Sequence, residues 1–184
     1  MARIPPIKLN DSDQRTKEIL KTIERQWGSS WNVTSTMANN PAIVEGFFAL
    51  WSAIERSGLS TTDREVICME MAVSNGCHYC VPAHRYTSAE QAIDQAMIDQ
   101  LAKGESLRGS SRPAVIQRLV QRLVATKGKL EDQEFEEFKQ QGISESEMIA
   151  AIAEIAHCTI TNYLNRLAGT ELDPFLEKYR HGFD

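Results

Sequence analysis

Two cysteines and two histidines stand within eight consecutive residues of this chain, in the segment EVICMEMAVSNGCHYCVPAHRY at 65–86. Two residues separate Cys77 from Cys80, His84 follows Cys80 by four positions, and Glu65 precedes Cys77 by twelve. A thiol pair can cycle between dithiol and disulfide or bind a metal, and an imidazole beside a carboxylate can move protons. The spacing therefore indicates thiol redox chemistry or a metal site, against the alternative that these side chains only fill a core.

The thiols are predicted to lie at the start of a helix, just beyond a tight turn. Asn75 and Gly76 are a C-terminal helix signal, and Pro82 suits the first turn of the helix that follows. Cys77 and Cys80 then lie at or just before a helix N-terminus, where the helix dipole and free N–H groups favour a thiolate. At i,i+3 spacing their Cα atoms are about 5 to 5.5 Å apart, within the range that a disulfide allows.

The preceding helix is expected to fold back against this one and to bring a carboxylate to the imidazole. With a rise of about 1.5 Å per residue, Glu65 and His84 reach similar heights in an antiparallel pair. His84 lies one turn beyond Cys80 and can reach its sulfur as a base or acid, while Glu65 fixes the imidazole tautomer. This geometry makes Cys80 the better nucleophile and Cys77 its resolving partner.

Nearly every other segment has the apolar spacing of a helix, and no convincing period-2 strand is found. The chain is therefore predicted to be all-α, with eight or nine helices. Asp11 or Ser12 is expected to cap the first helix, which ends at Gly28. A stretch rich in Ser, Thr and Asn follows and is predicted to be a loop, up to a helix start at Asn40 and Pro41.

Composition excludes several classes of protein. The 184 residues carry a formal net charge of -5 with a pI near 5.5, which argues against nucleic-acid binding. No apolar run approaches a membrane span, and the N-terminus lacks the apolar segment of a secretion signal, so a cytoplasmic location is expected. Structural disulfides are rare there, so a close cysteine pair is more often catalytic or metal-binding.

The constellation of Glu65, Cys77, Cys80 and His84 on two consecutive capped helices resembles the signature of the AhpD-like alkylhydroperoxidases, within the carboxymuconolactone decarboxylase superfamily. The stretch NYLNRLA at 162–168 is similar to the late part of the peroxidase-related members. The resemblance implies an AhpD-like helical fold and a cofactor-free thiol peroxidase that reduces hydroperoxides. It also implies a symmetric homo-oligomer.

The resemblance covers about residues 40–170. It predicts an N-terminal helical extension, 1–39, and an AhpD-like core, 40–184, within one compact domain. It further places apolar residues of 47–51 and the last long helix near Asn165 around the pocket.

The resemblance assigns a role to each candidate. Cys80 is the peroxidatic cysteine that becomes a sulfenic acid, and Cys77 condenses with it to a disulfide. His84 acts as general acid and base, and Glu65 completes the proton relay. The resulting disulfide requires reduction by an external dithiol or a thioredoxin-like protein.

One feature departs from the family pattern. The best-known members have a histidine directly before the second cysteine, where this chain has Tyr79, and His78 lies beside the first cysteine instead. Both are secondary candidates. A one-residue shift rotates His78 by about 100° around a helix, so it cannot simply replace the family histidine.

Three alternatives remain open at this stage. Cys77, Cys80, His84 and Glu65 are also a four-ligand set for zinc, and the same site suits a non-catalytic redox-responsive protein. A lactone decarboxylase, the activity in the superfamily's name, would leave the thiols without a role. The other two cysteines, Cys68 and Cys158, are predicted to be core residues, which leaves the 77–80 pair as the redox site.

Overall fold

The computed structural model describes residues 1–8, 10 and 13–180, and this part of the chain is all-α, as predicted. It contains nine α-helices followed by a short 3₁₀-helix, and no strand occurs among the described residues. The helices are α1 Gln14–Trp27, α2 Asn32–Met37, α3 Pro41–Glu55, α4 Thr61–Ser74, α5 Cys80–Glu90, α6 Gln95–Ala102, α7 Arg112–Thr126, α8 Asp132–Gln140 and α9 Glu145–Ala168, with the 3₁₀-helix at Pro174–Tyr179. None of the helices described is both long and apolar enough to cross a lipid bilayer.

Helix α4 lies at the centre of the fold, in contact with α5, α6, α7 and α9. Its sequence is apolar on nearly all sides, and Val66, Ile67, Met69 and Ala72 are completely buried. A helix that buries its whole circumference needs neighbours on every side, which explains why the others pack around it. The predicted capping box at its start is confirmed, with Asp63 N–H donating to Ser60 Oγ.

A left-handed residue reverses the chain after α4. Gly76 has φ of 58°, a conformation that glycine adopts at little cost, and Cys77 N–H donates to Ala72 O at 2.8 Å. The next helix therefore runs back along α4. This reversal brings residues from the middle of α4 opposite the second turn of α5.

The stretch predicted to be a loop contains helix α2, which is a correction. Ser, Thr and Asn have modest intrinsic helix propensity, but burial outweighs it here, because Val33 and Met37 are buried. The hydroxyl of Thr34 is satisfied within the segment, donating to Trp31 O at 2.9 Å. Tertiary packing therefore stabilises a helix that the local composition disfavours.

The N-terminal segment packs on the rest of the fold through a second apolar cluster, which joins Leu20 and Ile23 of α1 to Val44 and Phe47 of α3. Helix α1 is capped by the side chain of Asp13. The predicted caps Asp11 and Ser12 lie outside the described residues. The division into an extension, 1–39, and a core, 40–184, stays a prediction.

The cap of α4 allows a test of the fold. Ser60→Ala removes the acceptor for Asp63 N–H, so we expect the free energy of unfolding to fall by about 1 kcal/mol. Urea denaturation followed by circular dichroism measures it. Ser110→Ala, at an exposed loop position, is the control and should change stability by less than about 0.5 kcal/mol. Equal effects of the two substitutions would contradict a capping role.

Candidate active site

Cys77 and Cys80 form a disulfide at the start of α5, with their Cα atoms 5.3 Å apart. Cys80 is the first residue of the helix, and its backbone N–H lies 3.1 Å from Cys77 Sγ. Both side chains are buried. Because the two sulfurs are bonded to each other in this form, they are not free to act as the zinc ligands of the alternative reading. The helix N-terminus favours negative charge on sulfur once the bond is reduced.

The imidazole of His84 and the carboxylate of Glu65 meet across the α4–α5 hairpin. His84 Nδ1 lies 3.0 Å from Glu65 Oε2. Thr87 donates to Glu65 Oε1 at 3.0 Å and Ser88 to Oε2 at 3.3 Å, so the carboxylate is held by three partners. With Nδ1 facing Glu65, Nε2 is the nitrogen of His84 that is available for proton transfer.

The environment of His84 favours its protonated form. Burial by itself lowers the pKa of His84, but the charge of Glu65 and the hydrogen bond to it outweigh that effect and raise the pKa above the ordinary value. An imidazole with a raised pKa beside a thiol site can serve as a general acid.

Two buried asparagines of α9 reach the sulfurs. Asn162 Nδ2 lies 3.1 Å from Cys80 Sγ, and Asn165 Nδ2 lies 3.4 Å from the same atom. The side-chain amide of Asn75 donates to Asn162 Oδ1 at 2.9 Å and so fixes which end of that amide faces the sulfur. Among the described residues the side-chain hydrogen bonds to Cys80 Sγ come from these two amides. His84, one turn further along α5, bonds to Glu65.

Sequence reasoning placed Asn165 near the pocket and missed Asn162. The available signal was the pair of asparagines three residues apart in an apolar stretch of the longest helix. Polar amides on a buried helix face require partners, and here a sulfur is one of them.

The two secondary candidates lie apart from the proton relay. Tyr79 is buried and its hydroxyl donates to Asp173, whose carboxylate also accepts from Asn32 N–H. Burial, with the negative charge of Asp173, raises the pKa of Tyr79 well above its ordinary value, so its hydroxyl stays protonated. His78 is exposed, and its Nε2 lies 2.8 Å from Thr170 O.

A cavity of about 580 Å³ connects these groups, and Cys80, His84 and Glu65 lie on its wall. Five aromatic side chains also line the cavity and are called its aromatic wall here: Trp27, Trp31, Phe47, Trp51 and Tyr86. Trp27 and Trp31 come from the N-terminal segment, which therefore completes the cavity. The rings pack edge to face on one another, as in the Trp27–Trp31 pair with centroids 5.9 Å apart.

The two cysteines predicted to be core residues also lie on the cavity wall. Cys68 of α4 and Cys158 of α9 are buried, as predicted, but their sulfurs are only 3.1 Å apart. Glu154 and His157 adjoin them. Sequence reasoning did not bring these residues together, because 90 positions separate the two cysteines.

The part of the chain that carries the candidate site is similar in sequence to a known family. Residues 41–109 match the family model described as "Carboxymuconolactone decarboxylase family", and this segment contains Glu65, Cys77, Cys80 and His84. The match agrees with the predicted resemblance to the carboxymuconolactone decarboxylase superfamily over this segment of the chain. Among curated proteins, none matches the chain in sequence at a significant level.

Solved structures of the same fold show the AhpD-like architecture over nearly the whole chain. A peroxidase-related protein of Ralstonia eutropha JMP134, described as an alkylhydroperoxidase AhpD core, is 19% identical, with 95% of this chain and 94% of that chain covered and a TM-score of 0.82. A peroxidase-related protein of Silicibacter sp. TM1040 is 17% identical, with 98% and 96% covered and a TM-score of 0.77.

The debrominase Bmp8 has the same fold as well. It is 17% identical, with 98% of this chain and 97% of that chain covered and a TM-score of 0.74. A cysteine-to-alanine variant of Bmp8 has been solved in complex with 2,3,4-tribromopyrrole.

Glu65→Gln tests the electrostatic argument about His84. Without the carboxylate charge, burial dominates, so the pKa of His84 should fall. The wild-type pKa is raised on folding, so the pair contributes stability at pH below the unfolded-state value and loses it as pH rises through the folded-state value. NMR titration of the His84 imidazole measures the pKa directly.

The control for this titration is Glu90→Gln, which removes an exposed carboxylate on the rim of the same cavity. It should leave the midpoint of His84 nearly unchanged. A His84 midpoint that stayed the same in Glu65→Gln would remove the carboxylate from the relay.

Proposed function

We propose that this chain is a thiol-dependent peroxidase that reduces hydroperoxides through a dithiol–disulfide cycle of Cys77 and Cys80. The observation that carries the proposal is the buried Cys77–Cys80 disulfide at a helix N-terminus, with Cys80 facing a cavity that also presents His84 paired to Glu65. A thiolate nucleophile, an acid and a resolving thiol are the groups that reduction of a peroxide needs.

The proposed reduction of a hydroperoxide proceeds in two steps, the first at Cys80 and the second at Cys77. The Cys80 thiolate attacks one oxygen of the O–O bond and becomes a sulfenic acid, while the departing alkoxide takes a proton from protonated His84. The Cys77 thiol then displaces water from the sulfenic acid and forms the disulfide. The amides of Asn162 and Asn165 donate toward Cys80 Sγ and so stabilise its negative charge in the reduced state.

Turnover requires two electrons from an external dithiol, either a small one or a thioredoxin-like protein. Cys80 lies on the cavity wall, whereas Cys77 is completely buried. The incoming thiolate is therefore expected to attack Cys80 from the cavity and to release Cys77. Such reductants are supplied in the cytoplasm, the location that we propose.

The aromatic wall of the cavity favours reductive dehalogenation as a second candidate. Five aromatic side chains lining the same cavity as Cys80 suit a flat, apolar substrate such as a halogenated ring, and a debrominase shares the fold. Here Cys80 would take the halogen as a cation equivalent and the ring carbon would take a proton from His84. Cys77 would then displace halide and form the same disulfide.

The two remaining alternatives would use the site differently. A redox-responsive or zinc-responsive binding protein would use Cys77 and Cys80 without multiple turnover. A lactone decarboxylase would leave the disulfide and the amides around it without a task.

We also propose that the chain forms a homo-oligomer through the exposed face of α9. Five large apolar side chains are exposed along this helix at helical spacing: Ile149, Ile152, Ile160, Tyr163 and Leu167. They extend over about 27 Å of one helix, which is long for an apolar strip left in water. A second copy can present the same strip, as a two-fold interface requires.

Cys80 is the nucleophile in both candidate reactions. Cys80→Ser should abolish the multiple-turnover reduction of hydrogen peroxide and tert-butyl hydroperoxide by a dithiol, because no thiolate remains on the active side of the Cys77–Cys80 pair. Cys77→Ser should allow one turnover at Cys80 and accumulate a sulfenic acid there, trapped by dimedone and located by mass spectrometry. Parallel assays with a brominated pyrrole and release of bromide separate the two candidate reactions. Wild-type rates in Cys80→Ser would refute both.

His84 is the general acid of the proposed reaction. His84→Ala should reduce the peroxidase rate by about a hundredfold or more, the usual contribution of a general acid. His78→Ala is the matched control, because that exposed imidazole faces Thr170 O and should leave the rate nearly unchanged. Equal losses in the two variants would show that His84 has no special role.

The exposed apolar strip of α9 is the proposed interface of the oligomer. Ile152→Glu combined with Ile160→Glu places charge in the exposed strip of α9, so we expect the molar mass measured by light scattering to fall to that of one chain. Val124→Glu, at an exposed apolar position of α7, is the control and should keep the wild-type mass. A wild-type protein with the mass of one chain would end this part of the proposal.

A further inference from the structure

A second thiol pair lies on the wall of the same cavity as the Cys77–Cys80 disulfide. Cys68 comes from the middle of α4 and Cys158 from the middle of α9, and their Sγ atoms are 3.1 Å apart. The chain has four cysteines in all, so every cysteine is part of one of two close pairs. Both members of the second pair reach the cavity that Cys80 and His84 line.

The surroundings of the second pair are ionisable rather than apolar. Glu154 Oε1 lies 3.4 Å from Cys68 Sγ and 4.0 Å from Cys158 Sγ. Its other oxygen, Oε2, accepts from Arg64 Nε at 2.8 Å, so the buried carboxylate charge is balanced. An inert core thiol does not require a carboxylate and a guanidinium beside it.

The imidazole of His157 completes the surroundings of the second thiol pair. His157 Nδ1 lies 3.5 Å from Glu154 Oε1, and its ring stacks on Phe47 with centroids 4.0 Å apart. Among the described residues, Nε2 of His157 has no hydrogen-bond partner although it is buried. A carboxylate, an imidazole and a thiol pair thus occur twice around one cavity, once at Glu65, His84, Cys77 and Cys80 and once here.

The electrostatic effects differentiate the two sulfurs. The hydrogen bond with Cys68 lowers the pKa of the Cys158 thiol against the opposing effect of burial, and His157 lowers it further. The same hydrogen bond, together with burial, raises the pKa of Cys68. These directions make Cys158 the candidate nucleophile of the pair and Cys68 its resolving partner.

We propose that Cys68 and Cys158 are a second redox-active dithiol, oxidised to a Cys68–Cys158 disulfide by a hydroperoxide that enters the shared cavity. The Cys158 thiolate attacks the O–O bond and becomes a sulfenic acid, and the alkoxide takes up the proton that left the Cys158 thiol, which His157 can carry. Cys68 then attacks the Cys158 sulfur, forming the disulfide and releasing water. The inference takes its oxidant class from the proposed function but uses a different nucleophile.

The spacing of the sulfurs favours a disulfide over a metal site. Two thiolates on a tetrahedral zinc ion, at about 2.3 Å each, lie about 3.8 Å apart. Here the separation is 3.1 Å, and a disulfide requires the sulfurs to approach by only about 1 Å more. Glu154 is already paired with the positively charged Arg64. A metal ion bound at Glu154 would be repelled by that charge.

The test uses the full chain with Cys77→Ser and Cys80→Ser, so that only the second pair remains. After reduction and removal of the reductant, hydrogen peroxide should lower the two thiols titrated under denaturing conditions to none. The intact mass should fall by two hydrogen atoms, and peptide mapping should join Cys68 to Cys158. The control adds Cys158→Ser, after which no such loss of mass can occur. Circular dichroism verifies that both proteins are folded.

Three results would overturn the proposal: two thiols that stay free after oxidation, a sulfinic acid on either cysteine instead of a disulfide, or a metal ion that purifies with the chain and is lost in Cys158→Ser. Failure of the proposed peroxidase activity is separate, because it is measured in multiple turnover with a dithiol. Without reductant, reduced wild-type chain should consume about two equivalents of peroxide, and Cys68→Ala with Cys158→Ala about one. One equivalent in both proteins would also overturn the proposal.

Discussion

The contact between Glu65 and His84 is the interaction on which the site depends. A carboxylate that is nine-tenths buried requires partners, and Glu65 finds them in one imidazole and two hydroxyls, all from α5. Satisfying that carboxylate fixes the register of α5 against α4. The same register sets the position of Cys80, one turn before His84, at the cavity wall. The hydrogen-bonding requirement of one buried carboxylate thus brings the candidate nucleophile and the candidate acid together.

Helix α9 supplies the other half of the site from a single face. Its buried side carries Glu154, the adjacent pair His157 and Cys158, and then Asn162 and Asn165, so that successive turns of the helix each contribute a polar group or a thiol. Glu154 and Cys158, in the middle of the helix, contact Cys68, and Asn162 and Asn165, nearer its end, reach Cys80 of the disulfide. One helix therefore contacts both thiol pairs.

The aromatic side chains that line the cavity suit the selection of the molecule that enters it, whereas the thiols set the reaction that the cavity can support. A thiolate and a resolving partner accept any two-electron oxidant that can reach them, whereas ring surfaces select for shape and polarity. Trp27 and Trp31 belong to the N-terminal segment, outside the part that matches the family model. The segment that matches the family model thus contains the candidate reactive groups, and a segment outside it shapes the cavity that Cys80 and His84 line.

The sequence by itself determined the elements whose causes are local. The capping box at Ser60, the reversal at Gly76 and the four-residue spacing of Cys80 and His84 depend on neighbours within about one helical turn, so they could be predicted without coordinates. Tertiary structure alone decided that α2 is a helix and that the Tyr79 hydroxyl faces Asp173. It also decided that Asn162 reaches Cys80 and that Cys68 meets Cys158. Those contacts join residues 82 to 94 positions apart, and packing of whole helices, which no local pattern encodes, brings such residues together.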